Sequence, residues 1–244
     1  MRTHYERLKK ITELGLLMMM GVSMSADAGL FGLDSTSWKE EVLLHDGSKI
    51  VVKRSVERGG RHEIGQRAGA TNETLTFTMP DTNQVVTWED KRSEDIGSSN
   101  FNLLMLEILD GTAHLVASPM GCLSYNKWGR PNPPYVVFKY QGKEWKRITL
   151  QELAAELKTP NLVISSPDDA AEKARHGVVS TETIRNLNNT ASQSEYRTIL
   201  REPVKGGDIT SCAEMVRVTD GWISPGGAKA PIPITPRTPS NVKK

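Results

Sequence analysis

Four times along this chain a short glycine-bearing turn separates two runs rich in Val, Leu, Ile and aromatic residues. "EEVLLHDGSKIVVKR" turns at Asp46-Gly47, and "LLMLEILDGTAHLVAS" repeats the device at Asp110-Gly111. "YVVFKYQGKEWKRI" turns at Gln141-Gly142 and "EMVRVTDGWIS" at Asp220-Gly221. Glycine and aspartate there supply the positive φ angles that a tight hairpin demands, so the reading has a mechanism. A fifth pair, "TLTFTMP" and "QVVTWED", joins through Pro80, Asp81, Thr82 and Asn83. The spacing of these turns is too uneven for a propeller or solenoid repeat. The expected fold is therefore mainly β with minor α: an antiparallel β-sandwich or open barrel built from hairpins. Trp88, Phe138 and Trp145 supply its core bulk.

Between the hairpins the pattern changes. Residues 55–74, "SVERGGRHEIGQRAGATNET", hold four glycines and scattered charge, and read as a long mobile loop. Thr149 to Glu152 forms an S/T-x-x-E capping box, with Ile148 and Leu153 placed as a hydrophobic staple. Leu150, Leu153, Ala154 and Leu157 then line one face of a short helix that Pro160 ends. Ser166-Pro167 opens a second helix that Gly177 stops. "SEYRTILRE", within residues 178–202, fits a strand by alternation and a helix through Tyr196, Ile199 and Leu200. From residue 225 five prolines and no apolar periodicity describe an extended, disordered tail. One β-rich domain is expected over 29–224.

The first 28 residues read as an export signal. Arg2, Arg7, Lys9 and Lys10 form a basic start, and Leu14 to Met24 an apolar run of eleven residues. Ala26 and Ala28 then sit where a signal peptidase reads small residues, which puts cleavage between Ala28 and Gly29. The run falls short of the roughly 20 residues a spanning helix needs, so no integral membrane protein is expected. Removing residues 1–28 leaves 27 basic against 26 acidic residues, a balance without the electrostatic footprint of a nucleic-acid binder. Local clusters such as Lys53–Arg54 read as a solvated face balanced by Glu57 and Glu63. Cys122 and Cys212 are the two cysteines, and in an oxidising compartment an even pair reads as one disulfide.

The catalytic inventory is thin. His45, His62, His114 and His176 show no metal-binding spacing, and two cysteines cannot build a Cys-rich zinc site; no metal or other cofactor is expected. There is no G-x-S-x-G elbow and no phosphate-cradling loop. Glu107 and Asp110 read as charges that solvate a sheet edge. "SPMGCLS" faintly resembles the S-H-G-C-x-[RN] box of L,D-transpeptidases, which implies a Cys122 thiolate. Met120 stands in place of the histidine, however, and Ser124 in place of the arginine or asparagine, so the activating groups are missing. The disulfide is the stronger reading of Cys122.

Residues 118–140, "SPMGCLSYNKWGRPNPPYVVFKY", carry the densest mixture of aromatic, cationic and proline residues. On one reading the prolines stiffen a crossing between hairpins, with Tyr125 and Trp128 roofing the core. On the other, Tyr125, Trp128, Arg130 and Tyr135 form a rigid contact patch, since tryptophan, tyrosine and arginine dominate binding hot spots. The patterns at 38–54 and 129–148 resemble uncharacterised exported proteins of proteobacteria, which implies a Gram-negative periplasmic setting and carries over no site. The functional expectation is a periplasmic accessory or binding protein, with an envelope protein or cell-wall component as partner. The alternatives are an envelope enzyme using Cys122 or a carboxylate pair, and a structural part of an envelope assembly.

Overall fold

The computed structural model describes residues 34–60, 68–164, 177–206, 209–219 and 221–226, all within one compact unit, Leu33–Lys244. Its backbone is two consecutive antiparallel meanders. The first sheet runs β1 (Asp34–Leu43), β2 (Lys49–Arg58), β3 (Ala70–Thr78) and β4 (Val85–Lys91), in that spatial order. The second runs β5 (Phe101–Leu109), β6 (Thr112–Pro119), β7 (Val136–Gln141) and β8 (Glu144–Ile148). Gly47, Asp110, Gly111 and Gly142 adopt positive φ at the hairpin turns, as the Asp-Gly and Gln-Gly pairs require. A small third sheet pairs β9 (Val216–Val218) with β10 (Gly221–Ile223); the turn residue Asp220 lies outside the described residues.

One core joins the two meanders. Val42, Val52, Leu75, Phe77 and Trp88 from the first sheet meet Phe101, Leu103, Leu115 and Phe138 from the second. Sheet 1 alternates strictly, so its other face meets solvent. Sheet 2 is buried on both faces. Leu104, Met105, Val116 and Val137 point away from the shared core and are covered by Leu153, Leu157, Ile164 and Ile199. A bulge between Leu103 and Met105 in β5 makes this switch of face. Asn161 stitches that strand: its Oδ1 accepts from the Leu106 N–H, and its Nδ2 donates to the Leu106 and Leu43 carbonyls.

Three of the sequence expectations need correction. The loop read over 55–74 is strand at both ends, because β2 runs to Arg58 and β3 starts at Ala70. Glu73 holds an inward position where an apolar residue would have shown the alternation. Residues 61–67 lie outside the described part. The helix expected over 149–157 shrinks to one 3-10 turn, Leu150–Glu152, although its capping box forms as read. Arg201 takes the carbonyls that a continuing helix would use, donating to Leu150, Leu153, Ala154 and Leu157 at 2.6–3.1 Å. The crossing at 118–134 contains an unexpected helix, α1 (Gly121–Lys127).

The ambiguous stretch is helical in part, with only Ser194–Arg197 of "SEYRTILRE" in a helix and Ile199 and Leu200 in neither helix nor strand. α2 (Thr181–Asn189) is capped by Ser180, whose side chain accepts from the Thr183 N–H, and α3 (Ser194–Arg197) follows. Val179, just ahead of α2, exchanges backbone hydrogen bonds with Lys39 and Glu41 and so covers part of the free edge of β1. The second expected helix, residues 166–176, and most of the expected tail lie outside the described residues. No helix among the described residues is long and apolar enough to cross a membrane.

Candidate functional site

The Cys122–Cys212 disulfide is formed, with the two Cα atoms 5.4 Å apart across 90 residues of sequence. It ties α1 to the segment leading into β9, and a set of side chains completes the joint. The Arg130 guanidinium donates to the Cys212 and Ala213 carbonyls and to Asn126 Oδ1, and lies 5.0 Å over the Tyr125 ring. Asn126 in turn donates to the Cys122 and Ala213 carbonyls and accepts from the Met215 N–H. With its sulfur in the disulfide, Cys122 has no thiolate to offer as a nucleophile.

Of the four residues read as a contact patch, Tyr125 and Tyr135 are 3% and 4% exposed. The Tyr135 hydroxyl shares its proton between the Glu195 and Thr198 carbonyls and accepts from the Leu200 N–H, locking α3 against β7. Burial pushes its pKa well above the ordinary tyrosine value. Trp128 is half-buried, its ring 4.7 Å from Phe101 and its Nε1–H donating to Asn100 Oδ1. Arg130 is half-buried and fully engaged with the staple. The structure thus brings Tyr125, Trp128 and Arg130 together as a roof and clamp, with Tyr135 in a separate cluster on the other face of sheet 2.

A different region has the makings of a site. The inner face of sheet 1 is apolar at one end and ionised at the other. Strand alternation points Trp38, Glu40, Arg54, Glu73 and Asp90 inward, and all five are at most 6% exposed. Arg54 links the cluster: Nη1 donates to Glu40 Oε1 at 2.9 Å and to the Val163 carbonyl, and Nη2 donates to Glu73 Oε1. Its guanidinium carbon lies 5.0 Å from the centre of the Trp38 ring. Glu40 is saturated, since Oε1 also accepts from Trp38 Nε1–H and Oε2 accepts from the Val163 N–H. Asp90 accepts from the Asn100 and Phe101 N–H groups and from Asn100 Nδ2, which anchors the start of β5. The solvated face read at Lys53–Arg54 holds for Lys53 alone.

This ionised end opens on a cleft of about 690 Å³. Arg54, Arg58, Glu73, Ser99 and Asn102 form part of its polar lining, and Val56, Phe101 and Met120 part of its apolar lining. Two polar atoms here are buried without a partner. Arg54 Nε and Ser99 Oγ are buried and make no hydrogen bond. Glu73 uses only Oε1 among the described residues, although a carboxylate has room for about four hydrogen bonds. Burial raises the Glu73 pKa against the lowering pull of Arg54. Sequence reasoning missed this cleft. The one legible sign was charge at inward positions of "KIVVKRSVER" and "ATNETLTFT", which strict alternation from Val52 and Leu75 would have exposed.

A smaller cavity, about 300 Å³, lies under the β1–β2 turn and is lined by His45 and Glu107. His45 Nδ1 is 2.9 Å from Glu107 Oε1, and the His45 N–H donates to Glu107 Oε2. Glu107 is 2% exposed, so it does not solvate a sheet edge as read from the sequence. Its hydrogen bond raises the His45 pKa.

Fold and site together define a disulfide-stapled, antiparallel β protein with a ligand-sized cleft at the ionised end of its core. No family model, curated protein or solved structure matches this chain.

Proposed function

We propose that this chain is an exported binding protein of the Gram-negative periplasm, which takes a small ligand into the cleft beside Arg54, Glu73 and Ser99. The single observation that carries the binding reading is the convergence of unpartnered, buried polar groups on one cleft. Buried polar atoms are nearly always satisfied, and each that is not costs about 1–3 kcal/mol. Arg54 Nε and Ser99 Oγ, both buried without a partner, meet the Glu73 carboxylate beside a volume large enough for a metabolite-sized molecule. Export is supported by the basic, apolar and small-residue order of residues 1–28. A disulfide is also compatible with an oxidising compartment. The ligand is a soluble envelope component or a fragment of cell-wall material.

The test is native mass spectrometry on protein recovered from the envelope fraction. The expected chain begins at Gly29 and carries a small molecule that leaves on denaturation. Ala191→Trp, which puts an indole on the cleft wall, should lose it while staying folded. A chain beginning at Met1 would end the export reading. Wild-type protein that retains nothing when incubated with envelope-derived small molecules would end the binding one.

A further inference from the structure

The unpartnered groups also constrain what the ligand is. At the ionised end three buried carboxylates, Glu40, Glu73 and Asp90, face one buried guanidinium, Arg54. Glu40 and Asp90 each already accept three N–H hydrogen bonds, with both oxygens engaged. The shortage of donors therefore falls on Glu73, which is the carboxylate that lines the cleft. Ser99, wholly buried, adds a second vacant acceptor on the same lining.

We propose that the cleft recognises a primary ammonium group carried on an apolar stem, with Glu73 as its carboxylate anchor. The proposal rests on the cleft being a ligand site. An ammonium brings three donors and no acceptor, which fits the open Glu73 oxygen and Ser99 Oγ. It also brings the positive charge that the buried carboxylates lack, in a setting where charge-assisted bonds are strongest. Val56, Phe101, Met120 and Ile164 receive the stem. Arg54 Nε–H is an unpaired donor, enough for a single carbonyl near the ammonium. Arg58 also lines the cleft, its Nη1 3.5 Å from the Ala68 carbonyl. A lysine side chain and a peptide amino terminus both carry this chemistry.

Isothermal titration of the mature protein with hexylamine and with hexanol separates charge from stem. Hexylamine should bind at least about tenfold more tightly, the scale of one charge-assisted hydrogen bond. That preference should vanish in Glu73→Gln and shrink severalfold in Ser99→Ala, with hexanol affinity unchanged in both. Should Glu73→Gln fail to fold, the Ser99→Ala comparison and the pH dependence still decide. Amine binding should weaken as pH falls through the raised Glu73 value, because a protonated carboxyl offers no charge. Glu40, Arg54 and Asp90 act on Glu73, and Arg58 and Tyr196 line the same cleft. Leucinamide against Nα-acetyl-lysine methylamide then tells an amino terminus from a lysine side chain. Equal affinity for amine and alcohol would overturn the ammonium proposal and leave the cleft a binding site. No binding of either would overturn both.

Discussion

The stapled corner and the ionised end of sheet 1 are built from the same kinds of residue and use them in opposite ways. At the corner Arg130 donates to two backbone carbonyls and to Asn126, and Asn126 has both its oxygen and its nitrogen engaged. Both side chains there hold backbone in place. Around the cleft, Arg54 is bound to two carboxylates and yet keeps an idle Nε, beside an idle Ser99 hydroxyl. Saturation marks a joint, and a buried remainder marks a place that something else completes.

Breaking the corner should have the largest effect. On the chain-entropy model, opening a loop of 90 residues removes about 4–5 kcal/mol. Urea unfolding of reduced and alkylated protein, or of Cys122→Ser with Cys212→Ser, should show a loss of that order. An unchanged midpoint would mean that the corner is held by its side chains alone. Removing the guanidinium at the other end should follow closely. Arg54→Met leaves Glu40 and Glu73 buried without their counter-charge and should cost about 3–5 kcal/mol. Adding Glu73→Gln to that variant should restore part of the loss. A loss that stays put would show that the Arg54–Glu73 contact has little weight.

Arg130→Ala sharpens the contrast at a smaller scale. It strips charge-assisted bonds to the Cys212 and Ala213 carbonyls and should destabilise by about 2 kcal/mol. Trp128→Ala should lose a similar amount, since the ring packs on Phe101 and Phe138. Melting temperatures within a degree of wild type would return both residues to the role of contact surface. The smallest effect belongs to the His45–Glu107 pair, half-exposed on the histidine side. Because Glu107 raises the folded His45 pKa, its stabilisation is complete below the ordinary histidine value and fades as pH rises through the raised one. Solvent screening holds it to about 0.5 kcal/mol, readable as the difference between wild type and His45→Gln across pH 5 to 9. A pH-independent difference would mean that the pair carries no ionic stabilisation.

Much of the β framework was legible in the chain because turn chemistry is local. Asp110 and Gly111 take positive φ whatever lies across the sheet from them. The two cysteines were legible for a different reason, since an even pair leaves a single intramolecular connection. The helix over 149–157 was legible only at its cap. Thr149 and Glu152 bond each other over three residues, but the next turn depends on Arg201, some fifty residues on. A local rule cannot see a competing donor that far away.

The cleft was hidden for the same reason in stronger form. Glu40, Arg54, Glu73, Asp90 and Ser99 come from three strands, the final strand of the sheet and the loop before β5, and each alone reads as an ordinary surface residue. Charge on a strand says nothing about which face it occupies until the partner strands set the register. Alternation, turn residues and cysteine count are properties of a chain with itself, and they determined the hairpins, the β class and the disulfide. Which charges are buried, which carbonyls are taken and which hydroxyl is left without a partner depend on groups far apart in sequence. Those were decided only when two sheets closed over one core and excluded the water that would otherwise have satisfied them.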